Sequence, residues 1–486
     1  MANQNGITLL GLGPAGAELL TREAWDWLNS IPEVYVRTKQ HPAVLGLPGN
    51  LTVHSFDSVY EHGERFEDVY EQIIEQVLTL GKRPEGVTYA VPGHPFIAET
   101  TGPEIQRRAR EQGIPVRVIE GISFLEPLCS TLGVDPFPHT ALVDALEVGM
   151  AHHVPFPPDA PAIIAQVYSQ AAAAELKMTL LTVYPDQHLV RLVHGAGTEN
   201  VLLEDIPLYE IDRSIHTGLL TALYLPPLAK GTSLESFEEI IAHLRAPDGC
   251  PWDREQTHLT LRQHLMDETY EALEALDHED SAGTAEELGD LLLQIVLHAE
   301  IASEEGDYQM KDIIKGIYDK IVRRHPHVFT NLKVDGVDGV LTNWEKLKAA
   351  ERKQNGNGEK SSLDGVPSIL PALAASESIQ DRAARVGFDW PDVGGVLDKI
   401  REEIGEVESA PNEVERSKEI GDVFFALVNL ARWYKIDAES ALRETNQKFR
   451  KRFAQIEKKA REEGRSVSDM TLDEMNQIWE DAKKLD

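Results

Sequence analysis

Eight acids in the second half of the sequence are spaced for chemistry. Glu268 and Glu271, Glu287 and Asp290, Glu403 and Glu406, and Glu419 and Asp422 form four pairs, each with two residues between its members. On a helix that spacing puts both side chains on one face, about 5–6 Å apart at Cβ. A single pair of this kind usually marks no more than a solvated helix face. Three features set these apart. The Glu–Asp pairs open nearly all-apolar stretches, EELGDLLLQIVLHAE (286–300) and KEIGDVFFALVNLAR (418–432), so part of each pair should face a core. A glycine, Gly289 or Gly421, stands between the two acids, although glycine costs about 1 kcal/mol inside a helix. The whole set also occurs twice. Carboxylates gathered in fours repel one another and resist ionisation unless a cation neutralises them. All-oxygen ligands suit Mg²⁺ or Mn²⁺. A di-iron carboxylate bundle would need Glu-x-x-His pairs on its helices. Here that pattern occurs at Glu255 and His258, inside the loop-like PWDREQTH.

Basic residues accompany the acids. Lys320 and Arg324, and Lys448 and Arg452, are spaced i, i+4. On a helix near a metal they could grip phosphate oxygens, arginine by its fork. They would equally suit a basic surface stripe, as in KFRKRFAQIEKKAREEGR. Trp344 and Trp479 close the two acid-bearing segments and could stack on a base or fill a core. HPH at 325–327 reads as a helix stop, because proline cannot continue a helix.

Bringing the acids together requires hairpins of helices. Ala282-Gly283 and Pro411-Asn412 lie between the members of each hairpin and suit its turn. The helical segments repeat in the same order: LMDETYEALEAL with KIREEIGEVESA, YDKIVRRHPHVF with NQKFRKRFAQIE, NWEKLK with IWEDAK. A period this long is a domain duplication rather than a solenoid. ERKQNGNGEKSSLDG (351–365) reads as the linker between the copies.

The first half reads as α/β. ITLLGLG, VTYAVPG, VRVIEG and MTLLTVYP are strand candidates alternating with helical stretches. Strand signals end after LLTALYLPPL, so a boundary is expected near Pro226. HHVPFPP (152–158) reads as an interdomain loop without a chemical role. Gly11, Gly13 and Gly16 spell G-x-G-x-x-G between a strand and a helix, with Glu33 some 20 residues on, as in a dinucleotide fold. Pro14 removes one of the backbone N–H groups such a loop needs, so a plain tight turn serves equally.

The 486 residues are 42% hydrophobic and 26% charged, ordinary for a soluble globular protein, and long enough for about three domains. A formal charge of −34 argues against nucleic acid as a stable partner. No apolar run reaches the roughly 18 residues of a membrane span, so no membrane partner is expected. No signal peptide is visible at the start. Cys129 and Cys250 form neither a disulfide framework nor a cysteine metal site. A cytoplasmic protein is expected.

These segments resemble a known family. RAPDGCPWDREQTH, LMDETYEAL, EELGDLLLQ and RRHPHVF, then GFDWP, EEIGEV, EIGDVFFALVNLAR and NQKFRKRF, are similar to the two modules of MazG nucleoside triphosphate pyrophosphohydrolases. The resemblance covers about residues 232–486. It implies an all-α fold, a homodimer formed through these modules, and Mg²⁺ held by the four acids of each module. The implied reaction cuts a nucleoside triphosphate (NTP) to the monophosphate and pyrophosphate. The second module is usually the working one, so Glu403, Glu406, Glu419, Asp422, Lys448 and Arg452 become the catalytic set, with Lys448, Arg452 and Trp479 at nucleotide-contacting positions. The first module keeps all its acids.

The first half resembles the tetrapyrrole (corrin/porphyrin) methylases in GLGPAGAELLT, VPGHPF, EGISFLEPLCSTLG, LTLLTVYPDQH and IPLYEID. That resemblance implies two α/β subdomains with S-adenosylmethionine (SAM) between them, lined by Pro92, Gly93, His94, Gly121, Ile122 and Ser123. Two positions depart from the pattern. No acid follows the last glycine of the first loop, and Gly-Asp-Pro becomes Gly93-His94-Pro95. Ordinary methylase chemistry thereby loses a fixed anion beside a sulfonium. The fused order resembles the bacterial YabN-type proteins. The expected organisation is a methylase-like domain at 1–225 and MazG modules at 232–350 and 364–486. The competing expectation is a SAM-dependent methyltransferase whose helical half serves dimerisation or regulation.

Overall fold

The computed structural model describes residues 6–62, 66–330 and 363–484, and scattered positions between 331 and 361. The end of the first module at 350 and most of the expected linker lie outside the described residues. The chain forms two compact units, Met1–Glu255 and Gln256–Asp486. The helix Leu234–Arg245, which the sequence assigns to the first module, falls in the first unit. Asp159 holds the start of that helix, accepting hydrogen bonds from Ser236 Oγ at 2.5 Å and Gly231 N at 3.2 Å.

The first unit contains two five-stranded sheets. In one, β1 (Ile7–Gly11), β2 (Glu33–Val36), β3 (Thr52–Ser55), β4 (Val87–Val91) and β5 (Val116–Ile119) run parallel in the order β3-β2-β4-β1-β5. Every residue of β1 and β4 is buried, because crossover helices cover both faces of a parallel sheet. Ile7 and Leu9 enter one core with Ile73, Tyr89 and Ile105. Leu10 enters the opposite core with Leu28, Val34 and Ile119. This is the period-2 alternation of a strand.

The second sheet has the order β6-β7-β10-β8-β9, from β6 (Ala141–Asp144), β7 (Ala162–Ala165), β8 (Leu189–His194), β9 (Leu202–Pro207) and β10 (Thr221–Leu225). Only β6 and β7 pair in parallel; the other ladders are antiparallel. The expected strand MTLLTVYP is instead the end of the helix Gln170–Leu180 and the turn after it. Its leucines serve the helix end: Leu180 is buried in the core of this sheet and Leu181 packs against it. HHVPFPP links β6 and its following helix to β7, so it lies within one subdomain rather than between domains.

The second unit is all helix among its described residues. Arg262–Asp277 and Ser281–Glu305 fold back on each other, as do Val393–Ser409 and Glu413–Trp433. In the first hairpin the turn falls at 278–280. Asp280 caps the second helix by accepting from Ala282 N and Gly283 N, so Ala282 and Gly283 belong to its first turn. In the second hairpin Asn412 is the cap and Pro411 lies in the turn, as the spacing suggests. His325-Pro326 ends the helix Met310–Arg324. No helix among the described residues is long and apolar enough to cross a membrane.

The apolar helices are less buried than their sequences suggest. In Glu413–Trp433 only Ala426 and Val428 are buried, while Phe424 and Phe425 remain 56% and 42% exposed. The hairpin partner and the helix Ala372–Arg385, whose Gln380 donates to the Phe425 carbonyl at 2.8 Å, cover part of this helix, and the described residues leave these phenylalanines exposed.

Candidate active site

Each hairpin gathers carboxylates from both of its helices. In the first, Glu268, Glu287 and Asp290 place oxygens within 4.8 Å of one another; in the second, Glu403, Glu406 and Glu419 do so. The i, i+3 spacing sets one pair on a face, and the tight turn brings the second helix against it. Glu271 and Asp422 are exposed and stand outside these triads. Glu271 still acts on its neighbours. Burial first, then the charges of Asp290 and Glu271, push the Glu268 carboxyl above its usual range, with His264 opposing. Glu287 is raised by desolvation and then by Glu271 and Asp290. Glu406 is raised by desolvation and then by Glu403 and Glu419. These are the marks of like charges crowded together.

Glu403 decides whether a cation fits. It is 5% exposed, and Lys399 Nζ approaches its Oε1 at 2.7 Å. Its Oε2 is buried with no hydrogen-bond partner among the described residues. A bare, buried carboxylate oxygen beside two further carboxylates suits a hard cation with oxygen ligands. Lys399 stands four residues before Glu403, a helical neighbour absent from the residues that the sequence motifs single out. The glycines beside the acids fit the same picture. A Cβ added at Gly289, Gly405 or Gly421 would meet nothing within 4 Å. Packing within the chain does not require glycine there, so the space lies open beside the acids.

The basic residues and tryptophans pair with each other in both modules. The Arg324 guanidinium lies 5.7 Å from the Trp344 ring and that of Arg452 lies 5.5 Å from Trp479. Trp479 also packs 5.0 Å from Phe449 and joins the core of Ile456, Ala460 and Met470. Lys448 is exposed and bonds Glu444 at 2.6 Å. Lys320 is half-buried on the helix that carries Arg324. A further pair has no counterpart among the sequence motifs. His258 Nδ1 and His298 Nδ1 lie 2.7 Å apart, their rings nearly parallel. Forty positions separate them in the chain, so no local spacing signals the contact.

In the first unit the six residues expected to line a cofactor site follow β4 and β5. Pro92, Gly93 and His94 come after β4; Gly121, Ile122 and Ser123 come after β5. Glycines pack there backbone to backbone. A Cβ on Gly11 would lie 2.5 Å from the Gly121 Cα and 2.6 Å from the Gly93 carbonyl oxygen. Gly13 and Gly93 exchange backbone hydrogen bonds at 3.2 and 2.7 Å. Gly93 has φ +68 and open space where a Cβ would be. The carboxyl ends of parallel strands are where open α/β sheets take ligands. Glu33 does not join them. It begins β2, at the opposite end of its strand, and binds Arg83 and His54. That removes the acid a dinucleotide fingerprint requires. His94 Nδ1 accepts from Phe96 N at 3.0 Å, so its Nε2 carries the proton and donates to the Glu120 carboxylate. Ser123 is buried and donates to Glu126 at 2.5 Å.

Comparison with known proteins gives the same division. Residues 256–329 match the model of the MazG nucleotide pyrophosphohydrolase domain, and residues 6–212 match that of the Tetrapyrrole (Corrin/Porphyrin) Methylases. The chain is similar to YabN of Bacillus subtilis, with 43% identity over 492 residues, 98% of each chain. Its second half is similar to the nucleoside triphosphate pyrophosphohydrolase/pyrophosphatase MazG of Thermotoga maritima, with 40% identity over 253 residues, 52% of this chain and 96% of that one. A solved uroporphyrin-III-C-methyltransferase from Thermus thermophilus is 20% identical, covering 46% of this chain and 94% of its own, with a TM-score of 0.37.

Proposed function

Since the chain belongs to the family of YabN, and through its helical half to that of MazG, we propose that it is a divalent-metal-dependent nucleoside triphosphate pyrophosphohydrolase with a methylase-like partner domain. The reaction is NTP and water to the monophosphate and pyrophosphate, and its use is the removal of aberrant or surplus nucleotides. One observation carries this reading: two hairpins each bring three carboxylates within 4.8 Å, and one of the six has a bare, buried oxygen.

Glu403, Glu406 and Glu419 would hold the ion in the second module, and Glu268, Glu287 and Asp290 in the first. A bound Mg²⁺ offsets triphosphate charge and lowers the pKa of a coordinated water. The chain's own groups do the rest. A carboxylate of the cluster that is not engaged on the ion would take a proton from the attacking water. Lys448 exchanges Glu444 for a phosphate oxygen. Arg452, backed by the Trp479 face, presents its fork to the phosphates. Asp422, exposed on the same helix as Glu419, would complete the ligand set of the ion. Lys320 and Arg324 play these parts in the first module. A cytoplasmic setting accords with two free cysteines.

Pyrophosphate release from a panel of NTPs with Mg²⁺ tests the proposal. Wild type should release it from at least one, and Glu406→Gln should lower that rate by on the order of a hundredfold. Glu287→Gln measures what the first module contributes. Silence on every NTP would end the reading.

The close-packed Gly11, Gly93 and Gly121 favour a second reading for the other unit, SAM binding with or without methyl transfer. Tritiated SAM should bind wild type and not Gly93→Arg, whose side chain would enter the open space. No binding to wild type would leave that unit without its cofactor.

A further inference from the structure

The two acid clusters differ in one resident charge. In the second module Lys399 Nζ lies 2.7 Å from Glu403 Oε1 and 3.1 Å from Glu402 Oε1. One oxygen of the buried Glu403 is therefore already answered by an ammonium, while the other is bare. The matching place in the first module, four residues before Glu268, is His264. Among the described residues none of Glu268, Glu287 and Asp290 forms an ion pair with lysine or arginine.

A divalent cation entering the second cluster meets a positive charge held against one of its ligands. At such separations, well inside a Debye length, salt does not screen the repulsion. The lysine has also compensated Glu403 in advance, so the ion gains less by arriving. The first cluster has His264 in that place rather than a fixed cation, and so imposes less of either cost. We propose that Lys399 is a resident counter-ion that weakens metal uptake by the second module, so that the first module fills at lower metal concentration. This rests on the metal-dependent reading above. It adds a graded response: with the first module saturated, metal concentration sets the occupancy of the second.

The test is Mn²⁺ binding to the full chain, followed by the electron paramagnetic resonance signal of the free ion. Wild type should show two classes of site, and Glu287→Gln with Asp290→Asn should remove the tighter. Lys399→Met should tighten the weaker class by on the order of tenfold. Lys399→Arg, which keeps the charge, should leave it as in wild type. His264→Lys should weaken the tighter class, and it keeps the test decisive if Lys399→Met folds poorly. An unchanged or weaker second class in Lys399→Met overturns the inference, as does loss of the tighter class with Glu406→Gln and Glu419→Gln. Absence of Mn²⁺ binding in wild type would remove the metal-dependent reading itself, and this inference with it. Two classes that ignore residue 399 would remove the inference alone.

Discussion

Glu403 and His41 are both only 5% exposed, and they meet burial in different ways. Glu403 stays beside a lysine. His41 has no hydrogen-bond partner for either ring nitrogen among the described residues, and burial pushes its pKa from 6.5 down to about 4. Between those values the unfolded chain binds a proton that the folded one refuses, so stability falls as pH drops from 6.5 towards 4. The span corresponds to roughly 3 kcal/mol, fully lost only below the lower value. His41→Leu should remove this sag. In urea unfolding of the full chain, the variant should lose less stability between about pH 7 and pH 4.5 than wild type does. Equal acid sensitivity in both would show that His41 is not held neutral.

Helices made most of the candidate site legible, because their periodicity is local. The spacing of Glu403 with Glu406, and of Glu287 with Asp290, fixes a shared face before any tertiary contact is known. The triads themselves needed one further fact, the hairpin turn, and Pro411-Asn412 signalled it. Asp422 and Glu271 did not follow, because spacing fixes the face and not the depth: both point where solvent reaches them. MTLLTVYP shows the limit elsewhere, since a short apolar run serves a buried strand or a buried helix end equally. The His258–His298 contact was invisible for the opposite reason, being purely tertiary. The glycines permit a test at this scale. Gly421 lies inside the helix Glu413–Trp433, with open space where a methyl group would stand. Gly421→Ala should therefore stabilise the helix by about 0.5–1 kcal/mol. If the space is reserved for substrate, the same change should cut kcat/KM by on the order of tenfold or more. Gly316, equally uncrowded on the helix Met310–Arg324, is the control: Gly316→Ala should stabilise without the kinetic loss. Stabilisation by both with full activity would mean the methyl enters no part of the site.

At the scale of the whole molecule, the described residues of the second unit leave apolar stripes exposed. Ile314, Ile317 and Ile321 recur at helical spacing on Met310–Arg324 and are 46%, 45% and 41% exposed. Leu288, Leu292 and Ile295 on the neighbouring helix are 52%, 39% and 43% exposed. A helix with such a stripe normally buries it, and contiguous apolar patches of this kind mark interaction surfaces. We propose that a second copy of the chain, bringing an identical stripe, covers it. A two-fold interface is self-complementary, so one set of isoleucines serves both sides. Light scattering should then give a mass near twice 54.1 kDa. Ile317→Glu with Ile321→Glu places two charges from each chain at the seam, and burying them unpaired costs more than a standard interface of about 800 Å² per partner can offset. The double variant should run as a monomer and keep its helical circular dichroism. Because each triad lies within one chain, that monomer should still bind Mn²⁺. A wild type that is already monomeric would leave the stripe without its partner. A dimer that survives both charges would place the contact elsewhere, on the exposed Phe424 and Phe425 of the second hairpin.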